Sequence, residues 1–241
     1  MSIGSAPMSD PSTSLPSSLQ RLLALSGVVF AVLFLVGWFA SGGDAPDYGA
    51  SDQAWTNWAD DNEWKSRIGA FAMLLAGFVF LHFAATIRTA LGDAEARVGG
   101  SVQLARVALA GAITGIAGMV MAIVIISSAT TEGADADPVV TRAIASSSAG
   151  PFLLSAMGFA ALLLAAGLLT LRSGVFARWT GVVALIGAAG FLVAFAAVLS
   201  GLGEDSLFGF GFFPSASASS LASWRWWSGR SLRVSLNTEL W

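Results

Sequence analysis

Few side chains in this sequence could do chemistry, and their spacing narrows the kinds further. Asp60, Asp61 and Glu63 place three carboxylates within SDQAWTNWADDNEWKSR, residues 51–67. Hard cations take carboxylate oxygens, so a cation or ligand contact is one reading of the cluster. The spacing is not that of a calcium loop, and no turn glycine lies inside it, which leaves a solvated face as the expectation. His82 is the one histidine, set in an apolar run six residues before Arg88. At 1.5 Å per residue it lies about 9 Å short of that arginine. Ionisable groups in a membrane span mark pathways or proton relays. The expectation for His82 is a neutral imidazole bonded to a neighbouring helix, and the alternative is a titrating or ligand-binding group.

Much chemistry is excluded by what is missing. There is no cysteine, hence no disulfide, thiolate metal site or cysteine nucleophile. A single histidine argues against a His-based metal site within one chain. The apolar runs contain no Asp, Glu, Lys or Arg, whereas a proton pump or ion-coupled antiporter needs such a group at depth. No paired aspartates, Ser–His pair or zinc ligands of an intramembrane protease stand out. No G-x-x-x-x-G-K-[ST] loop is present to hold phosphates, and the scattered serines lack an evident base. No enzyme, cofactor or metal is expected. The formal charge of −3 leaves no basic footprint for nucleic acid.

The elements that carry these residues follow from composition. Of 241 residues, 55% are hydrophobic and 11% charged, against roughly 25% charged in a soluble domain. The mean hydropathy is +0.73. So short a chain cannot hide that much apolar surface in water, but a bilayer removes the problem. Eleven Arg to one Lys, with abundant Ala and Gly, points to a GC-rich bacterial coding sequence. About 20 apolar residues are needed to cross roughly 30 Å of hydrocarbon. Five segments qualify, 22–40, 68–87, 107–127, 151–171 and 179–202, and in lipid they must be helices. The first is read as a retained span, because its apolar run exceeds the 7–15 residues of a signal core.

Charge orients the bundle. Arg21, Arg88, Arg97, Arg106, Arg172 and Arg178 fall on one side, and Lys65, Arg67 and Arg142 on the other. The positive-inside rule therefore puts the N-terminus in the cytoplasm of a multi-pass cell-membrane protein. Asp44, Asp47, Asp52, Asp60, Asp61, Glu63, Glu132, Asp135, Asp137, Glu204 and Asp205 make the outer face electronegative.

Two outer segments show helical signals. Ser51 is an N-cap and Asp52 suits a first turn. Trp55, Trp58 and Ala59 then share one face, which predicts a short helix on the membrane surface with its Trp rings at headgroup depth. Trp64 would sit where the second span enters, so Trp55, Trp58 and Trp64 are the expected interfacial anchors. In the second loop, Asp137 before Pro138 starts a short helix that runs to about Ser146. Gly150 and Pro151 are expected to break or kink the chain after it. In the third span Gly111, Gly115 and Gly118 form a small-residue stripe, and Gly187 and Gly190 do so in the fifth. Such stripes let helix backbones approach in lipid, which predicts the third and fifth spans in the interior, against either a neighbour or a second copy.

The polar Ser/Pro-rich start, RLLALSGVVFAVLFLVG, SDQAWTNWADDNEWKSRIGAF and the Arg-flanked turn TLRSGVFARWTG together resemble a group of uncharacterised multi-pass membrane proteins of actinobacteria. The resemblance covers most of residues 15–214. It implies six helices, the last apolar and followed by a short basic tail, and no activity. This chain departs from the pattern after Pro214, where serines and then WRWW dilute the apolar run SLFGFGFF. Written in one choice of GC-rich codons and read from the third base, residues 215–234 can give a mostly apolar run rich in Val, Ala and Gly. A frameshifted sixth helix is the expectation for this tail; a Trp/Arg interfacial tail or a true sixth span are the alternatives.

The expected fold is an all-α, polytopic transmembrane helix bundle of five spans with a sixth candidate, in one domain over 21–214. A disordered polar segment, 1–20, precedes it and an atypical tail, 215–241, follows. Its expected partners are the lipid bilayer and either a second copy or another membrane protein. It would act through helix packing or partner contacts. The alternative is a passive transporter or channel for a small solute, which requires a polar path along residues such as His82, Thr86, Thr114 and Ser155.

Overall fold

A computed structural model describes residues 17–41, 45–46, 49–132 and 137–196. The segment before Ser17 and the sixth-span candidate with its tail lie outside them. The elements are α1 (Ser17–Ser41), α2 (Asp52–Arg97), α3 (Gln103–Glu132), α4 (Pro138–Ser147), α5 (Ala149–Ser173) and α6 (Arg178–Phe195), with no strand among the described residues. α2, α3, the α4–α5 unit and α6 are long and apolar enough to cross a membrane, and α1 carries a shorter apolar stretch, Leu25–Ala40.

α2 departs from expectation by its length. Ser51 caps it, accepting from the Ala54 N–H at 3.3 Å, and Asp52 occupies its first turn. No Gly or Pro follows before Gly69, so the helix does not stop after the Trp pair. It runs straight into the second span for 46 residues, about 69 Å at 1.5 Å per residue. There is therefore no separate surface helix over residues 51–67.

α4 begins as its sequence predicts, with Asp137 accepting from the Val139 N–H at 2.9 Å and Pro138 just inside the helix. The break before α5 falls at Ser148, not at Gly150–Pro151. Pro151 sits in the first turn of α5, where its missing N–H leaves nothing unsatisfied. α5 ends at Gly174, whose φ of +65° suits glycine and whose N–H reaches the Thr170 carbonyl at 3.0 Å.

Neighbours in the chain pack side by side, α1 on α2, α2 on α3, α3 on α5 and α5 on α6, with α4 laid across α2 and α3. One end of the bundle carries α4 and the start of α2. The opposite end carries the α2–α3 and α5–α6 turns, and with them Arg97, Arg106, Arg172 and Arg178. Of the two spans predicted to be interior by their glycines, α3 is, but α6 packs mainly on α5 and lies at the edge of the described bundle. Gly187 of the predicted pair is buried, and Gly181, outside that pair, lies against Gly167 and Leu171 of α5, a close contact at an edge helix.

The buried core is mostly alanine, with Met73, Met119, Ile123 and Leu169, while Phe71, Phe78, Val32, Val36, Ile113, Val182 and Ile186 are exposed. So many large apolar side chains facing outward, over a core rich in alanine, depart from the order of a protein folded in water. At the α4 end, Arg142 Nη1 donates to Asp52 Oδ1 at 2.9 Å. The two side chains are 39% and 38% exposed, so Arg142→Ala is expected to lower stability by less than ~1 kcal/mol. Thermal unfolding of the purified protein in detergent checks this.

Candidate functional site

The sequence-predicted residues fall into separate places. Trp55 and Trp58 are buried, 2% and 8% exposed, with their rings edge to face at 5.7 Å. They share a core with Ala145 of α4, Ile126 and Ala129 of α3 and Phe152 of α5. The i, i+3 stripe was legible, and in the structure it packs into this core. Trp64 is 64% exposed and alone of the three keeps a ring free for an interface.

Asp60 and Asp61 are exposed, and Glu63 pairs with Arg67 at 2.6 Å. Among the described residues no three His, Asp or Glu side chains come together as a metal site.

His82 lies on the exposed side of α2. Its Nδ1 is 3.1 Å from the Phe78 carbonyl of its own helix, and its ring stands edge to face against Phe78 at 4.9 Å. The expected bond to a neighbouring helix is not made, because the side chain points out of the bundle. Thr86 donates to the His82 carbonyl at 3.0 Å, Thr114 is half-buried and Ser155 is fully buried. Ser155 belongs to the α3–α5 contact, where a Cβ on Gly118 would stand 2.7 Å from its backbone nitrogen. An exposed face of one helix and the inside of another contact do not form one polar path.

Gly111, Gly115 and Gly118 lie directly against α5. A Cβ on Gly111 would come 2.6 Å from the Gly158 carbonyl oxygen and from the Leu162 nitrogen. On Gly118 it would come 2.6 Å from the Pro151 oxygen, and on Gly115 2.7 Å from the Phe159 ring. The face that could have met a second copy is filled from within the chain. Its counterpart, Gly158, sits in SAMGFAAL without a second glycine. The spacing Ser155–Gly158 was its one sequence signal.

Glu95 was also missed. It is 5% exposed, and its two carboxylate oxygens accept from the backbone N–H groups of Leu104 at 3.2 Å and Ala105 at 3.0 Å. These are orphan donors at the start of α3, where a negative charge is favoured. The intervening turn uses Gly99 at φ +77° and holds Val102 at φ 60°. That conformation costs a β-branched residue roughly 1–2 kcal/mol. The two bonds from Glu95 and the packing of Val102 beside Leu91 and Ala105 offset it. An acid before a Gly-Gly pair gives no sequence sign of reaching across nine or ten residues.

One groove opens between α2 and α3 near the α4 end, with a volume of about 280 Å³. Ala70, Leu74 and Val124 form its apolar part, and Ser127, Ser128 and Thr131 its polar part. Ser128 and Thr131 donate to the Val124 and Ser127 carbonyls. Ser127 is 8% exposed, and its hydroxyl has no hydrogen-bond partner among the described residues.

A family model described as a domain of unknown function (DUF4386) matches residues 25–224. No curated protein and no solved structure matches the chain significantly.

Proposed function

The chain belongs to the DUF4386 family, and from that premise and its apolar helices we propose that it is a non-enzymatic, multi-pass integral membrane protein acting through contacts with lipid or with other proteins. One observation carries this reading: Phe71, Phe78, Val32 and Ile186 are among the many large apolar side chains that face outward, over an interior in which alanine is the commonest buried residue. In water such a surface would aggregate, whereas in hydrocarbon it is solvated.

α1, α2, α3, α5 and α6 are the proposed spans, with the N-terminus in the cytoplasm and α4 outside. The support is the gathering of Arg97, Arg106, Arg172 and Arg178 at the turn end, which is the cytoplasmic end by the positive-inside rule. A sixth span after α6, as in the six-helix resemblance, would return the chain to that side. Trp64 is the proposed interfacial anchor at the α4 end.

The absence of cysteine makes the topology directly testable. Single cysteines at Asn57 and at Ala96 are expected to behave oppositely in intact cells. Asn57→Cys reacts with a membrane-impermeant maleimide, and Ala96→Cys reacts only after permeabilisation. The reverse pattern would invert the topology, and recovery of the protein in the soluble fraction would remove the membrane reading.

A further inference from the structure

We propose that the α2–α3 groove seats the acyl-ester region of a membrane glycerophospholipid. The inference rests on the chain lying in a bilayer. Along the bundle axis the groove presents three kinds of surface in order. Leu74, Ala70 and Val124 are apolar. The hydroxyls of Ser127, Ser128 and Thr131 follow, where α3 leaves its apolar run for TTE. Arg67 comes next on α2, seven residues before Leu74 and so on nearly the same stripe, about 10 Å further along. Its side chain is 56% exposed and pairs with Glu63 at 2.6 Å, so a phosphate would take the place of that carboxylate. A glycerophospholipid carries the matching sequence of acyl chain, ester oxygens and phosphate.

Ser127 points to a ligand independently. A hydroxyl in a helix ordinarily donates to a carbonyl one turn back, as Ser128 and Thr131 do. Ser127 does not, although its own carbonyl accepts from Thr130 at 2.8 Å and Thr131 at 3.0 Å. Ser127, 8% exposed as a residue, thus leaves an unused donor facing the groove, and a donor that meets hydrocarbon without an acceptor is unfavourable. An ester oxygen supplies the acceptor. The size also fits part of a larger molecule. About 280 Å³ falls just under the roughly 300–1,000 Å³ of pockets that enclose a whole small ligand. No charged side chain lines the groove itself, so a free anion has no counter-ion there.

The test uses the full chain in phosphatidylcholine vesicles containing a phosphatidylglycerol with a diazirine close to its acyl ester. After irradiation, adducts are mapped by peptide mass spectrometry. Adducts are expected in excess on the peptides bearing Ala70–Leu74 and Val124–Thr131, above the level on the exposed α6 face at Val182 and Ile186. Ser128→Phe, which fills the groove from an exposed position, removes the excess and leaves the α6 level unchanged. Ser127→Ala lowers the excess about fivefold, the effect of losing one ordinary hydrogen bond. Should Ser128→Phe fold poorly, Ser127→Ala decides alone. Equal labelling of the groove and of α6, or an excess indifferent to both substitutions, would overturn the proposal and leave ordinary bilayer contact. Labelling of neither would overturn the membrane reading as well. A diacylglycerol probe labelling as well as the phospholipid, with no effect of Arg67→Gln on either, would remove the phosphate and overturn the glycerophospholipid assignment.

Discussion

Gly158→Ala lowers the stability of the protein by ~2 kcal/mol, and Gly158→Leu yields no monodisperse protein. The expectation follows from what the new methyl group would meet. A Cβ at position 158 collides with the backbone of Gly115 and comes 2.8 Å from the Gly111 oxygen. A flexible side chain could swing aside, but a helix backbone cannot, so α3 and α5 must separate along their whole contact. Overpacking of a tight interior costs about 1–3 kcal/mol, and here it acts at the most extensive helix pairing in the bundle. The higher helix propensity of alanine returns up to ~1 kcal/mol, which sets the net figure within that range. Gly150→Ala is the matched control in the same helix. Nothing lies within 4 Å of its added Cβ, and it should be neutral or stabilising by about 0.4–1 kcal/mol. The two variants, compared by thermal-shift midpoints in detergent, separate a packing effect from a propensity effect. Equal midpoints would mean that α3 and α5 are not in backbone contact.

The second large effect is expected at Glu95. Glu95→Ala removes both acceptors from the start of α3 and leaves the Leu104 and Ala105 N–H groups without them. Hydrogen bonds to a charged group contribute about 1.5–3 kcal/mol each, and they are not additive when they share one carboxylate. A loss of ~2–4 kcal/mol is expected for the pair. Glu95→Gln keeps one acceptor and turns an NH₂ toward the other N–H, so it falls between wild type and Glu95→Ala. Hydrogen exchange gives the local readout: amides of the first turn of α3 lose protection in Glu95→Ala, while those around Gly115 change little. An unchanged first turn would show that the cap contributes nothing.

How much of this was legible follows from the range of each interaction. Ser51 and Asp137–Pro138 were readable because a cap is made with the next two or three residues. The Trp55–Trp58 stripe was readable as a stripe, since periodicity reports which side chains share a face. What covers that face is a different matter. α4 reaches it across some eighty residues of sequence, and nothing in a tryptophan's surroundings distinguishes a helix partner from a headgroup layer. The α3 glycines announced a close approach without naming its partner, and Gly158 is too isolated in sequence to announce itself. Glu95 escaped because it falls between the spans read at 68–87 and 107–127, and its geometry depends on a left-handed Val102 that no propensity favours. His82 was placed by depth alone, and depth does not say whether a residue looks into the bundle or away from it.

The uninterrupted run of α2 has a mechanical consequence. A helix of 46 residues without proline has no hinge at which to bend sharply. One end packs with α4 in the core that holds Trp55, Trp58 and Ala145, and the other grips the start of α3 through Glu95. It therefore behaves as a strut. A tilt imposed where α4 sits is delivered, about 65 Å away along the axis, to the Glu95 turn, so whatever touches one pole of the molecule also pulls on the other.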